Sequence, residues 1–469
     1  VSFYTGVSMK MKIENRSILS GVVGSIPSKS YSHRYLIGSA LAHGTSVENE
    51  SSYDDFFGNG LSKETFSEDV LATYECLSKL LNIIHHKRTV AEIPTFQCNN
   101  SGSTLRILAP ILMVFFEKVR FVCGKQLIGR NMPASMEPLK IFGVDCYSDE
   151  DFLRNSIVLD GNLKSGEIHL DDAPTSQVVS GLLMALPLLK KNSCITISEN
   201  FPSMPYVDMT LNTLKDFGVN IEKTHPENDE KSIKFNICGN QKYKTVQNIS
   251  NRIENDWSNS AFWIVANFIY DYSETTDIDL TKSSYCEKLL NYPIKVCNLN
   301  SDSLQGDREI LNILWDFKRS SNSVTSIDCS NIPDVFPVLA LASGVLKDSV
   351  TEFTNLERLS LKESNRIEST VSLLNSLDIK NRLSEHKLKV YGSALLKNGI
   401  MSKLDAIVDN ACEINTYGDH RIAMTAGIAS IFSNRPLILS DYVCVKKSYP
   451  GFWKDFKKLG GKCDKIQLR

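Results

Sequence analysis

Several short stretches of the chain open with groups that bind anions. Lys29, Ser30 and Arg34 head SKSYSHRYLIGSALAHG, Asn100, Ser101, Gly102 and Arg106 head NNSGSTLRILAPILM, and Thr175, Ser176 and Gln177 head PTSQVVSGLLMALPLL. Asp334 opens IPDVFPVLALASGVL, and His420 with Arg421 opens YGDHRIAMTAGIASIF. Each run passes from polar residues to small apolar ones, the pattern of a buried helix with a polar first turn. A helix start offers unpaired backbone N–H groups and the positive end of its dipole, and small residues there let a ligand approach the backbone. One start contributes about 0.3–1 kcal/mol to an exposed anion and one charge-assisted hydrogen bond about 1.5–3 kcal/mol. Singly they are weak. Several starts and cations converging on one point would hold a doubly charged ligand.

Two further stretches carry charge. In RLSLKESNRIEST (358–370) Lys362 and Arg366 are four apart on one helical face, which suits either a solvated face or an anion-facing one. KKSYPGFWKDF (446–456) is basic, and Ser203 and Tyr206 flank the start of another helix. SIPSKSYS has the Lys-Ser of a phosphate-binding loop, but Ser28 stands where the glycine belongs and the earlier glycine is missing, so the stretch does not match the nucleotide-binding motif.

These residues need a scaffold that repeats. With NDWSNSAFWIVANFI near 255, six small-residue helices recur about every 70 to 85 residues. Behind each comes a more amphipathic helix: SEDVLATYECLSKLLN, MEPLKIFGVDC, MPYVDMTLNTLKDFGVNI, REILNILWDFK, ESNRIESTVSLLNSL and YPGFWKDFKKLGGK. Short β-like runs such as SCITISE, IKFNICG, SVTEFTN and LKVYGS lie between them. Six units divide as three and three, with a boundary near 247–255. The polar stretches 47–66 and 222–232 read as loops or insertions, and residues 1–20 as one or two strands belonging to either half.

Composition narrows the class. A chain of 469 residues exceeds one ordinary core, and 52 basic against 54 acidic residues, a net charge of −2, give no overall pull toward nucleic acid or an anionic membrane. Any anion site must be built locally. The twelve cysteines never come closer than eleven positions, Cys286 to Cys297, so no CxxC pair exists for zinc or thiol exchange. They read as buried reduced thiols of a cytoplasmic protein. Residues 1–20 lack the unbroken apolar run expected of an export signal, and no stretch approaches eighteen apolar residues.

In order and spacing, PSKSYSHR, NNSGSTLR, Arg130 before Met132 and Pro133, TSQ, SMPYVD, IPD, LKESNRIE, YGDHRIAM and KKSYP resemble the 5-enolpyruvylshikimate-3-phosphate synthase family. The resemblance covers residues 24–453. It implies an α/β fold, a two-domain inside-out α/β barrel with six βαβαββ repeats, three per domain. Residues 1–22 and 250–469 would form one domain and 23–249 the other, with the active site in the interdomain cleft and hinges near 21–25 and 247–251. The implied reaction moves the enolpyruvyl group of phosphoenolpyruvate to the 5-hydroxyl of shikimate 3-phosphate and releases phosphate by addition and elimination. Carried over by position, Lys29, Ser30, Arg34, Thr175, Ser176, Gln177, Ser203, Tyr206, Asp334 and Lys362 would bind shikimate 3-phosphate. Lys29, Asn100, Gly102, Arg130, Gln177, Arg366, Arg421 and Lys447 would bind phosphoenolpyruvate. Asp334 is the expected base, helped by Lys362, and Glu363 the expected acid, with Lys29 sharing proton transfer. No metal, cofactor, nucleic-acid or membrane partner is implied, and a cytoplasmic monomer is expected.

The match departs from the family at Ser28 (usually Gly), Ile107 (often Pro), Asn131 (usually Pro) and Thr175 (usually Ser). Two rivals share the fold. A UDP-N-acetylglucosamine enolpyruvyl transferase typically has Asn after the first lysine and a reactive loop cysteine. Here Ser30 follows Lys29, and no cysteine lies between Cys98 and Cys123. A catalytically inactive anion-binding protein would have no reason to keep Asp334 and Glu363.

Overall fold

The computed structural model describes residues 9–44, 66–85, 92–130, 132–149, 155–170, 175–226, 229, 231–273, 281–319, 323–392 and 410–466. Asn131 and almost all of the polar stretch 47–66 lie outside these. The chain forms two compact units, residues 27–254 and residues 1–26 with 255–469. Each has its own hydrophobic core.

One rule of connection builds both. In the unit 27–254, Thr95–Asn99 runs parallel to Lys118–Cys123, which pairs antiparallel with Ser156–Gly161, itself antiparallel to Val144–Ser148. Glu167–His169, Ser193–Ser198, Ser232–Ile237 and Ile221–Thr224 repeat that order. In the other unit Val324–Asp328, Val350–Thr354, Lys387–Tyr391 and Asn381–Ser384 repeat it again. A fourth sheet runs Cys412–Ile414, Leu437–Leu439, Lys10–Ile13, Cys463–Ile466, so the early strand Lys10–Ile13 fills the third place. Gly21–Gly24, expected near a hinge, is a strand that pairs in parallel with Ile294–Cys297.

A parallel pair needs a crossover, and in all four sheets a small-residue helix supplies it: Gly102–Phe115, Ser176–Ala185, Phe336–Gly344 and His420–Ala429. Each crossover starts at the C-terminal end of its sheet's first strand. The chain leaves the second, parallel strand at that same end, toward Arg366–Ser376 in one sheet and Met204–Asp216 in another. The polar helix starts therefore gather at one end of each sheet.

The small residues are needed for packing. A Cβ on Gly181 would lie 2.6 Å from the Ile107 carbonyl oxygen, and one on Gly38 would meet the Phe217 ring at 2.3 Å. These helices are buried almost all round. The second helices are one-sided: Ile310–Arg319 buries Ile310, Ile313, Leu314 and Phe317.

Three sequence expectations change. MEPLKIFGVDC forms no continuous helix, because Pro133 and Pro138 each open a single turn, Met132–Ser135 and Pro138–Ile141, before the strand Val144–Ser148. Residues 222–224 belong to the strand Ile221–Thr224, half of a hairpin with Ser232–Ile237. All twelve cysteines are free, but Cys238 is exposed and Cys146, Cys286, Cys297 and Cys444 are only partly covered. No helix among the described residues is long and apolar enough to cross a membrane.

Candidate functional site

In the unit 27–254, Ser28 begins the first of the polar clusters. Its carbonyl accepts from the Ser32 N–H at 2.8 Å and its hydroxyl faces the Tyr31 N–H, so this serine caps the helix Lys29–Gly44. Lys29 pairs with Asp69 at 3.0 Å, both largely buried. Next to them a chain of hydroxyls ties three helices: His33 Nδ1 to Thr73 at 2.8 Å, Thr73 to Thr104 at 2.7 Å and Thr104 to Ser101 at 2.7 Å. Ser101 also caps the helix Gly102–Phe115 through the Thr104 N–H.

Arg34 is 2% exposed. Its guanidinium donates to Thr210, Ser180, the Ser30 carbonyl and the Tyr206 carbonyl, four bonds from five N–H groups. Its main work is to join the helices Lys29–Gly44, Ser176–Ala185 and Met204–Asp216, which leaves one N–H for any ligand. Thr175 caps Ser176–Ala185 by accepting from the Gln177 N–H at 3.2 Å. The Gln177 amide accepts from Arg106 at 2.9 Å and donates to Ser103 at 2.8 Å, so its orientation is fixed. Gly102 allows close approach: a Cβ there would lie 3.0 Å from Arg106 Nη1 and 3.7 Å from Arg130 Nη1. Asn100 sits against Gly124, and Ser203 adopts a left-handed φ of 64° ahead of Tyr206.

The second cluster, in the other unit, is centred on Arg366, which is wholly buried. It holds Asp334 at 2.8 Å, Glu363 at 2.6 Å and Asp419 at 3.0 Å. Burial opposes its charge, but Asp419, Glu363 and Asp334 outweigh that and hold the guanidinium more firmly protonated than usual. Arg421 reaches Asp334 at 3.2 Å and Asn259 at 3.1 Å, and its charge is likewise secured against burial, chiefly by Asp334 and Asp256. Lys362 stands 3.8 Å from Asp334, and Lys447 3.5 Å from Glu363. Asp419 caps His420–Ala429 through the Arg421 N–H at 2.9 Å, so one carboxylate starts a helix and anchors Arg366. Glu363, Asp419 and His420 could also face a metal ion, but both carboxylates already accept from Arg366.

The expected residues therefore fall into two groups. Lys29, Ser30, Arg34, Asn100, Gly102, Arg130, Thr175, Ser176, Gln177, Ser203 and Tyr206 belong to the unit 27–254, and Asp334, Lys362, Glu363, Arg366, Arg421 and Lys447 to the other. Sequence reasoning missed the partners that hold them. Asp69, which holds Lys29, has the pattern of an ordinary acid in a helix's first turn, and Asn259, which holds Arg421, is one polar residue among several. Arg106 was legible as a helix opener, but not as the group that orients Gln177.

The chain is similar to known proteins over nearly its whole length. The model of a family described as EPSP synthase (3-phosphoshikimate 1-carboxyvinyltransferase) matches residues 13–456. The chain is 34% identical to the 3-phosphoshikimate 1-carboxyvinyltransferase of Clostridium beijerinckii, over 95% of this chain and 96% of that protein. It is 33% identical to that of Clostridioides difficile, over 96% and 98%. Among solved structures, an Acinetobacter baumannii EPSP synthase superposes with a TM-score of 0.65 at 19% identity, over 98% of this chain and 100% of that one. The enolpyruvyl transferase NikO of Streptomyces tendae gives 0.63 at 15%, with the same coverage. At such identities these two structures speak for the mixed α/β fold alone. Matched from residue 13 to residue 456, and at about a third identity to curated members, the chain belongs to the EPSP synthase family.

Proposed function

We propose that the protein transfers the enolpyruvyl group of phosphoenolpyruvate to the 5-hydroxyl of shikimate 3-phosphate, releasing phosphate. The observation that carries this reading is the buried cluster in which Arg366 holds Asp334, Glu363 and Asp419 at once while Arg421 and Lys447 close on the same acids. Addition needs a base on the attacking hydroxyl and an acid for the methylene carbon, and elimination of phosphate reverses both transfers. Asp334, a carboxylate facing Arg366, Arg421 and Lys362, is suited to take the hydroxyl proton, with Lys362 moderating the charge. Glu363 is suited to supply the carbon's proton. Arg366 at 2.6 Å and Lys447 at 3.5 Å stabilise its anion in the free protein. A bound phosphate competes for those cations, and as they turn to it Glu363 can take up a proton. Lys29, tied to Asp69, shares in proton transfer.

The proposed shikimate 3-phosphate shell is Lys29, Ser30, Arg34, Thr175, Ser176, Gln177, Ser203, Tyr206, Asp334 and Lys362, with Arg34 contributing chiefly by holding its helices. The proposed phosphoenolpyruvate shell is Lys29, Asn100, Gly102, Arg130, Gln177, Arg366, Arg421 and Lys447. The finer fold reading is an inside-out barrel of six repeats, and four sheets with one strand order support it.

A coupled phosphate-release assay tests the reaction. Turnover is expected with shikimate 3-phosphate as acceptor, and none with the double variant Asp334→Ala, Glu363→Ala. Turnover that survives in the double variant rejects the acid and base, and turnover only with a UDP-amino sugar rejects the acceptor.

A further inference from the structure

Asp307 lies in the turn Gly306–Glu309 and is 2% exposed. One carboxyl oxygen takes a very short hydrogen bond from Ser258, and the other, buried too, meets no hydrogen-bond partner among the described residues. The Nε of Arg421 is buried in the same condition. The charged groups that act on Asp307 are Asp334, ahead of Phe336–Gly344, Arg421 in His420–Ala429, and Asp256, ahead of Trp257–Ser273. Arg421 is already engaged with Asp334 and Asn259, so it is not a dedicated partner.

A buried carboxylate with a bare oxygen is costly, whereas the neutral acid is tolerated. Charge counting agrees. Among the described residues, Asp256, Asp307, Asp334, Glu363 and Asp419 are five acids around four cations, Lys362, Arg366, Arg421 and Lys447. With every group ionised the cluster carries −1, the wrong sign for receiving an anion. Burial first, then Asp334, pushes the Asp307 carboxyl up to about 7, against the lowering by Ser258 and Arg421.

We propose that Asp307 is a positioning residue that works as a neutral acid beside Asp334 and Arg421, balancing the charge of the cluster so that it accepts an anionic substrate. Ionisation of Asp307 then sets the alkaline limit of turnover. This inference rests on the functional reading above, and two measurements on Asp307→Asn keep the two apart.

The first needs no turnover. A carboxyl whose acid is strengthened only on unfolding stabilises the fold below the unfolded value near 4 and loses that contribution as pH rises to about 7. Between about pH 5 and pH 8 the melting temperature should therefore fall more in the parent than in the variant. Equal slopes overturn the proposal. The second is the pH profile of kcat/KM for phosphoenolpyruvate, whose fall from about pH 6 to pH 8 should be about tenfold steeper in the parent. The substrate's own ionisation is common to both proteins and cancels. Equal falls overturn the proposal, and a parent inactive at every pH overturns the functional reading while the melting slopes still decide the proton. If Asp307→Asn does not fold, Ser258→Ala replaces it. Loss of the Ser258 bond, which favours the anion, should move the alkaline limb to higher pH, and an unmoved limb overturns the idea.

Discussion

Arg366 carries a guanidinium with no exposed surface between three carboxylates. Such an arrangement is not in itself a source of stability, since desolvation offsets much of the attraction, but removing the cation strands the acids. Arg366→Ala should therefore destabilise its unit by about 3–5 kcal/mol in denaturant melts. It should also cut phosphate release at least about a hundredfold. Arg366→Lys keeps the charge but loses the fork that reaches Asp334, Glu363 and Asp419 together, so it should recover much of the stability and little of the activity. Recovery of both by lysine would mean that charge alone matters. The sequence made Arg366 visible as a cation four residues from Lys362. Glu363, three residues before it, was equally visible, but Asp334 and Asp419 were not revealed as its partners, because residues so far apart in the chain meet only through tertiary packing. His33 was likewise unreadable. Its imidazole is buried beside Thr73, and burial lowers its pKa to about 3, with Lys29 and Arg34 adding to the fall and Asp69 opposing it. The folded state refuses a proton that the unfolded state takes up below 6.5, so stability is intact above that pH and is lost as pH falls toward 3. Two pH units below the ordinary value the loss is about 2–3 kcal/mol. Melting temperatures of His33→Gln should fall less between about pH 6.5 and pH 4.5 than those of the parent.

Helices were the most legible elements, because both their polar starts and their small-residue faces are local properties. The six small-residue runs are all helices in the structure, and Thr175, Ser101 and Asp419 cap three of them. What the pattern did not reveal is why the residues are small. Gly102–Phe115 and Ser176–Ala185 pack so closely at Gly181 that a methyl group would stand 2.6 Å from the Ile107 carbonyl and 2.7 Å from Pro110. Backbone cannot yield there as a flexible side chain can. Gly181→Ala should cost about 1–3 kcal/mol through overpacking. The helices that carry Arg106 and Gln177 would also be pushed apart, stretching the 2.9 Å bond between these residues. A rise in KM for both substrates, beyond the loss of stability, is the expected result. A variant with parental KM and a lowered melting point would confine Gly181 to packing. The second strand of the hairpin, Ser232–Ile237, was legible as a β-like run, but the first, Ile221–Thr224, was read as part of a loop because it is mostly polar and partly exposed, so no apolar alternation marks it.

At the scale of the molecule, the unit 27–254 is an insertion into the other. Its ends meet, since the Ser28 N–H donates to the Glu254 carbonyl at 2.8 Å, and it contains two whole sheets and a core of its own. A fragment 27–254 should therefore fold alone with a single cooperative transition. The other unit is differently placed. Its strand Lys10–Ile13 lies between Leu437–Leu439 and Cys463–Ile466, so residues 255–469 alone lack an inner strand and expose two edges able to pair with other chains. That fragment should aggregate. Its two pieces also meet, the Asp256 N–H donating to the Ile26 carbonyl at 2.8 Å, so a short linker from residue 26 to residue 255 can replace the whole insertion without strain. The joined chain should be monodisperse by light scattering and show one unfolding transition, whereas 255–469 without residues 1–26 should not. If 255–469 is soluble and cooperative by itself, Lys10–Ile13 is an accessory to that sheet, and the paired edges on either side of it contribute little to holding the unit together.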